Sequence, residues 1–494
     1  MPMKCFTFDL GASSGKTAVV VYDGNNLSVN PVHDFRNGVT RLAGGLYWDF
    51  IGIWNEYLKG LGKGIADYPG LSSIGACTFS NDFSFVDKDG ELLAPVRAYR
   101  DSRTIRMADE IFSVMSQREL YGISGNQIAP FNTLMQLAAM KAEGRDAILS
   151  YADTILFLPD LLTFYLTGER VTERSIASVT QMYDHRTEDW SPVVLERFGI
   201  SRDLFAPLAS AGTPLAKLRP DILNEIGTSQ GLGLSAVVTA EHDTTSAFMA
   251  ADASEDVLIV SSGTWSLVGC ESPAPIINEY GLRYNIANEG GIPGHHRLIR
   301  NVMGNWLIQE VLREYESDGM AYDFGALSTD SLRIDPYSFI IDVDADEFYE
   351  PGRMRGKIAK VCMEKYGKHP ETPAEFAVCV STSLAFKYRW AMERLEHLRG
   401  REFRSVNIIG GGSRDRLAAQ RTADVTGLSV ICGPADASTI GNAIFQLIAA
   451  GEISGVGEGR EVMSRSVDLV RVEPSWDASR ASDAYDRFIQ DFSL

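Results

Sequence analysis

The 494-residue sequence predicts an α/β protein built from two similar halves. Two observations carry this. The segment Lys4–Leu10, the small-residue turn Gly11–Gly15 and the segment Lys16–Tyr22 read as a β-hairpin, and Val257–Val268 repeats the plan of strand, Ser- and Gly-containing turn, strand. In addition, apolar runs lead into helices through small-residue turns at Leu234–Ala251 and again from Val406 onward. Duplicated domains facing each other across a cleft are the expected architecture.

In chain order, the alternation of Lys4–Leu10 ends at Asp9, a carboxylate at the strand end able to hold a magnesium ion directly or through water. The turn that follows lets backbone N–H groups approach a phosphate closely. Gly11–Thr17 superficially resembles a P-loop, but three residues separate its glycines where four are needed. It also leads into the strand-like Val19–Tyr22 and not into a helix, so a P-loop is excluded. An amphipathic helix is expected around Ile53, Trp54, Tyr57, Leu58 and Leu61. Asp82 interrupts an otherwise apolar stretch, where a carboxylate is costly unless it is paired or functional. Ala98–Thr104 reads as a solvated polar loop.

Pro130–Leu137 opens a helical stretch, and Ile155–Leu166 passes from strand to helix at Pro159 and stops at Gly168. Residues 185–230 read as a loosely structured return. Met303, Leu307, Val311 and Tyr315 share a helical stripe, which places Asn301 and Gln309 on one helix. Residues 318–370 read as irregular and acidic. Phe376–Leu395 is a long helix, and Val406–Ser413 is a strand entering Gly410–Gly412, a turn that admits either a nucleotide or merely a bulge. A small-residue helix over Ala437–Ile448 is expected to pack close to the strand Leu428–Cys432, and the acidic last 40 or so residues to cover the surface.

The formal net charge of −19 argues against a nucleic-acid partner, which needs clustered Lys and Arg. The six cysteines are scattered without a CxxC pair, so zinc and redox motifs are not indicated and reduced thiols in a cytoplasmic protein are expected. The N-terminus does not read as a signal peptide, and no uninterrupted apolar segment is long enough for a bilayer. The expectation is therefore a protein with no membrane or nucleic-acid partner, as monomer or homodimer.

Ala240–Ala247 sits at the midpoint, between a strand and the start of a buried helix. Loops at the carboxyl ends of strands are where open α/β sheets place ligands. Asp243 there is either a general base or simply the cap of the following helix.

The ordered set DLGASSGK (9–16), YRDSRT (99–104), PFNTLMQL (130–137), HDTTSA (242–247), SSGTWSLVG (261–269), NEGG (288–291), NVMGNWLIQ (301–309), GGG (410–412) and GPADASTIGN (433–442) resembles the FGGY carbohydrate kinases. The match is collinear from about residue 6 to residue 450. The resemblance implies two actin-like, ribonuclease-H-like domains with ATP and sugar in the cleft between them, expected at 1–246 and 247–494. It implies phosphoryl transfer from Mg-ATP to a hydroxyl of a ketose, L-rhamnulose ahead of L-fuculose, L-ribulose or xylulose. It implies Asp243 as catalytic base, Asp9 near Mg2+, and Ala12, Ser13, Ser14, Gly15 and Lys16 as the first phosphate loop. Lys16 stands where similar members usually have Arg. Thr264, Gln309, Gly411 and Gly412 are implied nucleotide contacts. His242, Thr244 and Asn301, with Ser80, Asn81, Asp82 and Arg100, are the expected sugar contacts.

One segment departs from the pattern. Where the most similar members read Asp-Thr-Trp-Gly-Val-Asp, this chain has Cys77-Thr-Phe-Ser-Asn-Asp82. Ser80 and Asn81 add a hydroxymethyl and an amide to the part of the family's site that reads the sugar. Unpaired polar groups discriminate between substrates more sharply than an apolar wall. A polyol kinase, or a catalytically weak sugar-binding regulator, is the alternative function.

Overall fold

The computed structural model describes residues 2–493 apart from 229–232, 253, 255, 321–326, 328–329, 332, 351 and 476–477. The chain divides into two compact units. The first comprises Met1–Ala250, Glu271–Leu298 and Ala437–Ser466; the second comprises Ala251–Cys270, Ile299–Asp436 and Val467–Leu494.

The first unit is organised on a six-stranded sheet in the order Thr213–Lys217, Ser235–Val238, Ser73–Thr78, Met3–Leu10, Ser14–Tyr22, Leu27–Arg36. Met3–Leu10 pairs antiparallel with Ser14–Tyr22 and parallel with Ser73–Thr78, which in turn lies parallel to Ser235–Val238. The Phe50–Asp67 helix forms because Ile53, Tyr57, Leu58, Leu61 and Ile65 recur on one face, and the Asp49 side chain accepts from Gly52 N at its start. That face buries against Phe6 and Phe8, with the Phe8 and Tyr57 rings 4.2 Å apart.

In the second unit the same order of pairings recurs. Val257–Ser262 pairs antiparallel with Trp265–Ser272 and parallel with Ser405–Ile409, which is parallel to Ser429–Cys432. Val470–Val472 closes that edge antiparallel, as Thr213–Lys217 does in the first unit. The duplicated plan expected from the two hairpins is therefore present in these pairings, although the second sheet has seven strands to the first sheet's six.

Several local expectations change. Asn301 is not helical: His295–Met303 is a strand, Gly304 breaks it, and the helix spans Trp306–Ser317. The close approach forces the break, because a methyl at Gly304 would lie 2.5 Å from the Trp265 carbonyl carbon. Ala98–Thr104 is not solvated; Asp101 and Thr104 are buried, and Asp101 accepts from the backbone of Leu46 and Arg103. Residues 185–230 hold short elements, including the strand Thr213–Lys217 and the helices Pro192–Arg197 and Pro220–Glu225.

The described part of 318–370 includes a helix, Met354–Tyr366, capped by left-handed Gly367. The terminal helix Ala478–Phe492 buries Ala481, Ala484, Tyr485 and Phe488 and is more than a surface cover. The small-residue helix is Ala437–Ala450; it belongs to the first unit and packs on the Asp243–Met249 helix. A methyl at Gly441 would sit 1.7 Å from the Ser246 carbonyl oxygen, so the two backbones touch there.

Candidate active site

Asp243 is the first residue of the helix Asp243–Met249, which follows the strand Ser235–Val238. It is not the cap: His242 occupies that position, with no capping side-chain bond. The Asp243 Oδ1 accepts from Thr244 N at 2.6 Å and from Thr244 Oγ1 at 3.1 Å. These bonds hold one oxygen, while 29% of the side-chain surface stays exposed. Burial pushes its pKa above the ordinary carboxylate value, against the opposing pull of His242, Thr244 and the more distant Arg297. A carboxylate held on one side and reachable on the other, with raised proton affinity, has the form of a general base. Thr244, expected to contact sugar, spends its hydroxyl on orienting Asp243.

Behind Asp243 runs a line of buried polar side chains. His242 Nε2 lies 3.6 Å from Asp243 Oδ1, and His242 Nδ1 lies 3.5 Å from Glu289 Oε2. Arg297 Nη2 lies 2.9 Å from the same Glu289 oxygen in an ion pair, and both of these side chains are essentially inaccessible. Arg297 keeps the Glu289 carboxyl below its ordinary pKa despite burial. Its guanidinium also bonds the Gly290 carbonyl and lies over the Phe248 ring.

A second network fixes the backbone of the midpoint segment. Glu173 Oε2 accepts from Ser175 N at 2.8 Å, from Glu241 N at 3.2 Å and from the Ser175 hydroxyl. Ser175 Oγ in turn accepts from His242 N at 3.1 Å. Asp160 and Glu241 are buried beside them, so two carboxyls must share protons.

Burial pushes Asp82, Asp160 and Glu173 each up to about 7, and Glu241 higher than its ordinary value. Between their unfolded values near 4 and about 7, the folded chain holds more protons on these groups than the unfolded chain does. Stability contributed this way is lost as pH rises. His185, driven down to about 4 by burial, and His296, also lowered, oppose this only while unfolded histidine is charged. The thermal unfolding midpoint is therefore expected to fall most steeply between about pH 6 and 7.5. A midpoint that rises over that range, followed by calorimetry, contradicts the assignment.

The segment of the departure is tightly held. Asn81 takes a left-handed backbone, φ 77°, and its carbonyl accepts from Thr133 Oγ1 and Gln136 Nε2. Asp82 is buried, with Trp48 Nε1 and Gln136 Nε2 donating to its two oxygens. The Asn81 amide donates to Ser80 Oγ at 3.0 Å, but its Oδ1 is buried with no partner among the described residues. Such an acceptor costs about 1–3 kcal/mol until a donor reaches it. Arg100 lies over the Tyr99 ring, with Nε donating to the phenol oxygen.

The Gly11–Ser14 turn is closed by Gly11 N to Ser14 O at 2.9 Å and by Asn37 Nδ2 to Gly11 O at 2.8 Å. Ala12 and Ser13 form its tip; Ser14, Gly15 and Lys16 begin the next strand, where Lys16 is exposed and opposite Asp9. Asp9 Oδ2 accepts from Ser438 Oγ at 2.5 Å, so the helix Ala437–Ala450 helps aim it. Among the described residues no group of three His, Cys, Asp or Glu side chains forms a metal cage. Mg2+ typically takes one or two carboxylates with water and phosphate oxygens, so Asp9 suits it.

In the second unit, Thr264 sits in the hairpin turn and its carbonyl accepts from Trp306 N, the start of the helix that carries Gln309. Gly410, at φ 78°, turns the chain so that Gly412 packs on the same hairpin; a methyl there would meet Ser262 Oγ at 2.1 Å. Gly411 is exposed, and a methyl on it would meet nothing within 4 Å. Asn301 Oδ1 is buried without a partner among the described residues. Thr264, Gln309, Gly411 and Gly412 thus all lie on elements of one unit, as do Asp9, Asp82 and Asp243 in the other.

Glu173, Ser175, Glu289, Arg297 and Ser438 were not singled out in the sequence. The available signal was a lone carboxylate in the short Gly-containing strand Ala287–Ile292, followed by an arginine in the strand His295–Met303.

The family model for the N-terminal domain of the FGGY family of carbohydrate kinases matches residues 5–250, and that for the C-terminal domain matches 258–450. A rhamnulokinase of Oceanobacillus iheyensis is 34% identical over 461 residues, 93% of this chain and 96% of the relative. A rhamnulokinase of Bacteroides thetaiotaomicron is 34% identical over 485 residues, 97% and 98% of the two chains. Among solved structures, a gluconate kinase of Lactobacillus acidophilus superposes with TM-score 0.81 at 14% identity, covering 100% of this chain and 98% of that one. A xylulose kinase of the same organism gives 0.79 at 15%, covering 99% and 98%. These likenesses show the two-domain actin-like, ribonuclease-H-like fold.

Proposed function

This chain belongs to the FGGY family of carbohydrate kinases, an ATP-dependent sugar kinase, and from that premise we propose that its acceptor is the ketose L-rhamnulose and its base Asp243. The observation that carries the base assignment is the Asp243 carboxylate, held through Oδ1 by Thr244 and raised in proton affinity.

Asp243 takes the proton of the sugar hydroxyl as that oxygen bonds to the γ-phosphorus and the bond to ADP breaks. Thr244 keeps the carboxylate pointed, and Glu289 with Arg297 holds His242 beside it. Ser80, Asn81, Asp82, Arg100, His242 and Asn301 are the proposed sugar contacts. Ala12 to Lys16 with Thr264 take the phosphates, and Gln309, Gly411 and Gly412 take the rest of the nucleotide. Asp9 would hold Mg2+, which would supply charge neutralisation on the phosphates. Positioning and electrostatics then carry most of the rate, as in other phosphoryl transfers. The division of labour follows the domains, expected at 1–246 for sugar binding, the first phosphate loop and the base, and at 247–494 for nucleotide binding. All six cysteines are buried and unpaired, which supports a cytoplasmic setting, as monomer or homodimer. No helix among the described residues is long and apolar enough to cross a membrane.

The Asn81 acceptor favours one competing reading, a different ketose that presents a hydroxyl to it. Asn81→Gly keeps the left-handed backbone and removes Oδ1. It is expected to raise the sugar KM roughly tenfold to a hundredfold, with the ATP KM unchanged. An unchanged sugar KM removes Asn81 from recognition. Turnover of L-fuculose, L-ribulose or xylulose in preference to L-rhamnulose replaces the proposed substrate.

A further inference from the structure

The first unit contains a cavity of about 190 Å³ whose walls come from the strand Phe83–Val86, the following loop and the helix Thr133–Ala142. Its apolar side is Phe83, Phe85, Met140 and Ile148. Its polar side carries Arg97, Arg103 and Arg145. Three guanidinium groups in one small cavity are unusual unless something answers their charge.

Two carboxylates answer part of it. Arg97 bonds Glu143 at 2.6 Å and Asp101 at 3.3 Å, and Arg145 lies 3.5 Å from Glu143. Arg103 lies 3.6 Å from the same Asp101 oxygen, beyond hydrogen-bond distance. Arg145 is more than half exposed and Asp82 adds a third carboxyl acting on Arg103, so what the cavity lacks is hydrogen-bond acceptors and not charge. The Arg103 side chain is 8% exposed; its Nη2 donates to Gln136 Oε1 at 2.8 Å, while its Nη1 is buried without a hydrogen-bond partner. Arg97 Nε is likewise buried without one. Burial and the neighbouring Arg97 lower the Arg103 pKa, against the pull of Asp101, Asp82 and Glu143.

We propose that this cavity is a binding site for a small monocarboxylate with a compact apolar body, its carboxylate on Arg103 and Arg97 and its body against Phe83, Phe85 and Met140. Arg103 Nη1 and Arg97 Nε each lack an acceptor, and the two oxygens of a carboxylate would supply one to each. A planar carboxylate suits the guanidinium fork, and the two phenyl walls suit a ring. The volume admits a ligand of on the order of ten non-hydrogen atoms. The site is separate from the proposed sugar contacts, none of which lines it. It is linked to them through Gln136, whose Nε2 donates to Asn81 O and Asp82 Oδ1, and through the electrostatic pull between Arg103 and Asp82.

The test is calorimetric titration of the full chain with benzoate, against benzamide and inorganic phosphate. Benzoate is expected to bind at least tenfold more tightly than either. Arg103→Met is expected to remove binding. Met140→Trp fills the apolar side without touching a guanidinium, and is expected to remove binding while the unfolding midpoint stays near that of the parent. No heat from benzoate, cyclohexanecarboxylate or isobutyrate overturns the proposal. Phosphate binding as tight as benzoate, or benzoate binding retained by a folded Met140→Trp protein, overturns it equally. Binding is read without turnover, so the result is independent of which sugar the enzyme phosphorylates.

Discussion

Asp243→Ala is expected to lower kcat by roughly a hundredfold to ten-thousandfold, with the ATP KM within about twofold of the parent. The size follows from what general-base help is worth in transfers of this kind. The direction follows from the assignment of roles: Asp243 is fixed through Oδ1 by Thr244, and the residues proposed to contact the nucleotide base and sugar, Gln309, Gly411 and Gly412, belong to the other unit. The pH profile is a second readout. Because burial raises the proton affinity of Asp243, the acidic limb of kcat/KM is expected above the ordinary carboxylate range. Activity is lost as pH falls through that raised value, since the protonated carboxyl cannot accept the sugar proton. Undiminished turnover by Asp243→Ala removes this residue from the chemistry.

Arg297→Met is expected to cost about 3–5 kcal/mol of stability, because it leaves the Glu289 carboxylate buried without its cation. Removing both partners avoids the orphaned charge. Arg297→Met with Glu289→Gln is therefore expected to recover a large part of the loss. Urea unfolding of the parent, the two single variants and the double variant measures the coupling. A double variant no more stable than Arg297→Met means that the pair is not what holds this region. The same series reports on catalysis: Glu289→Gln frees His242 beside Asp243, so kcat is expected to fall further than the ATP KM moves.

The architecture was legible because strand and turn signals are local. The hairpin Met3–Tyr22 and its counterpart Val257–Ser272 are short strand-forming runs around Gly-containing turns, and both form hairpins. Asp243 was legible for the same reason, lying where an apolar strand gives way to a small-residue helix. Asn301 was misplaced because Met303, Leu307 and Val311 are four apart, a spacing that a strand end, one glycine and a helix start can imitate. The solvated reading of Ala98–Thr104 failed because charge alone does not reveal that Asp101 finds Leu46 N, 55 residues earlier.

The buried networks escaped for a deeper reason. Glu173 reaches Glu241 N across 68 residues, and Ser438 reaches Asp9 across 429. No spacing rule connects such positions; only the sheet order brings them together. The two charges nearest in sequence, Glu289 and Arg297, sit on adjacent strands, Ala287–Ile292 and His295–Met303, and so were the ones most open to being found.

The decisive measurement is ADP release by the pure protein with Mg-ATP, with and without L-rhamnulose, L-fuculose, L-ribulose and D-xylulose. The expected result is turnover that requires a sugar, is greatest with L-rhamnulose, and disappears in Asp243→Ala. ATP hydrolysis at the same rate without any sugar, or no ADP release with the whole panel, contradicts it.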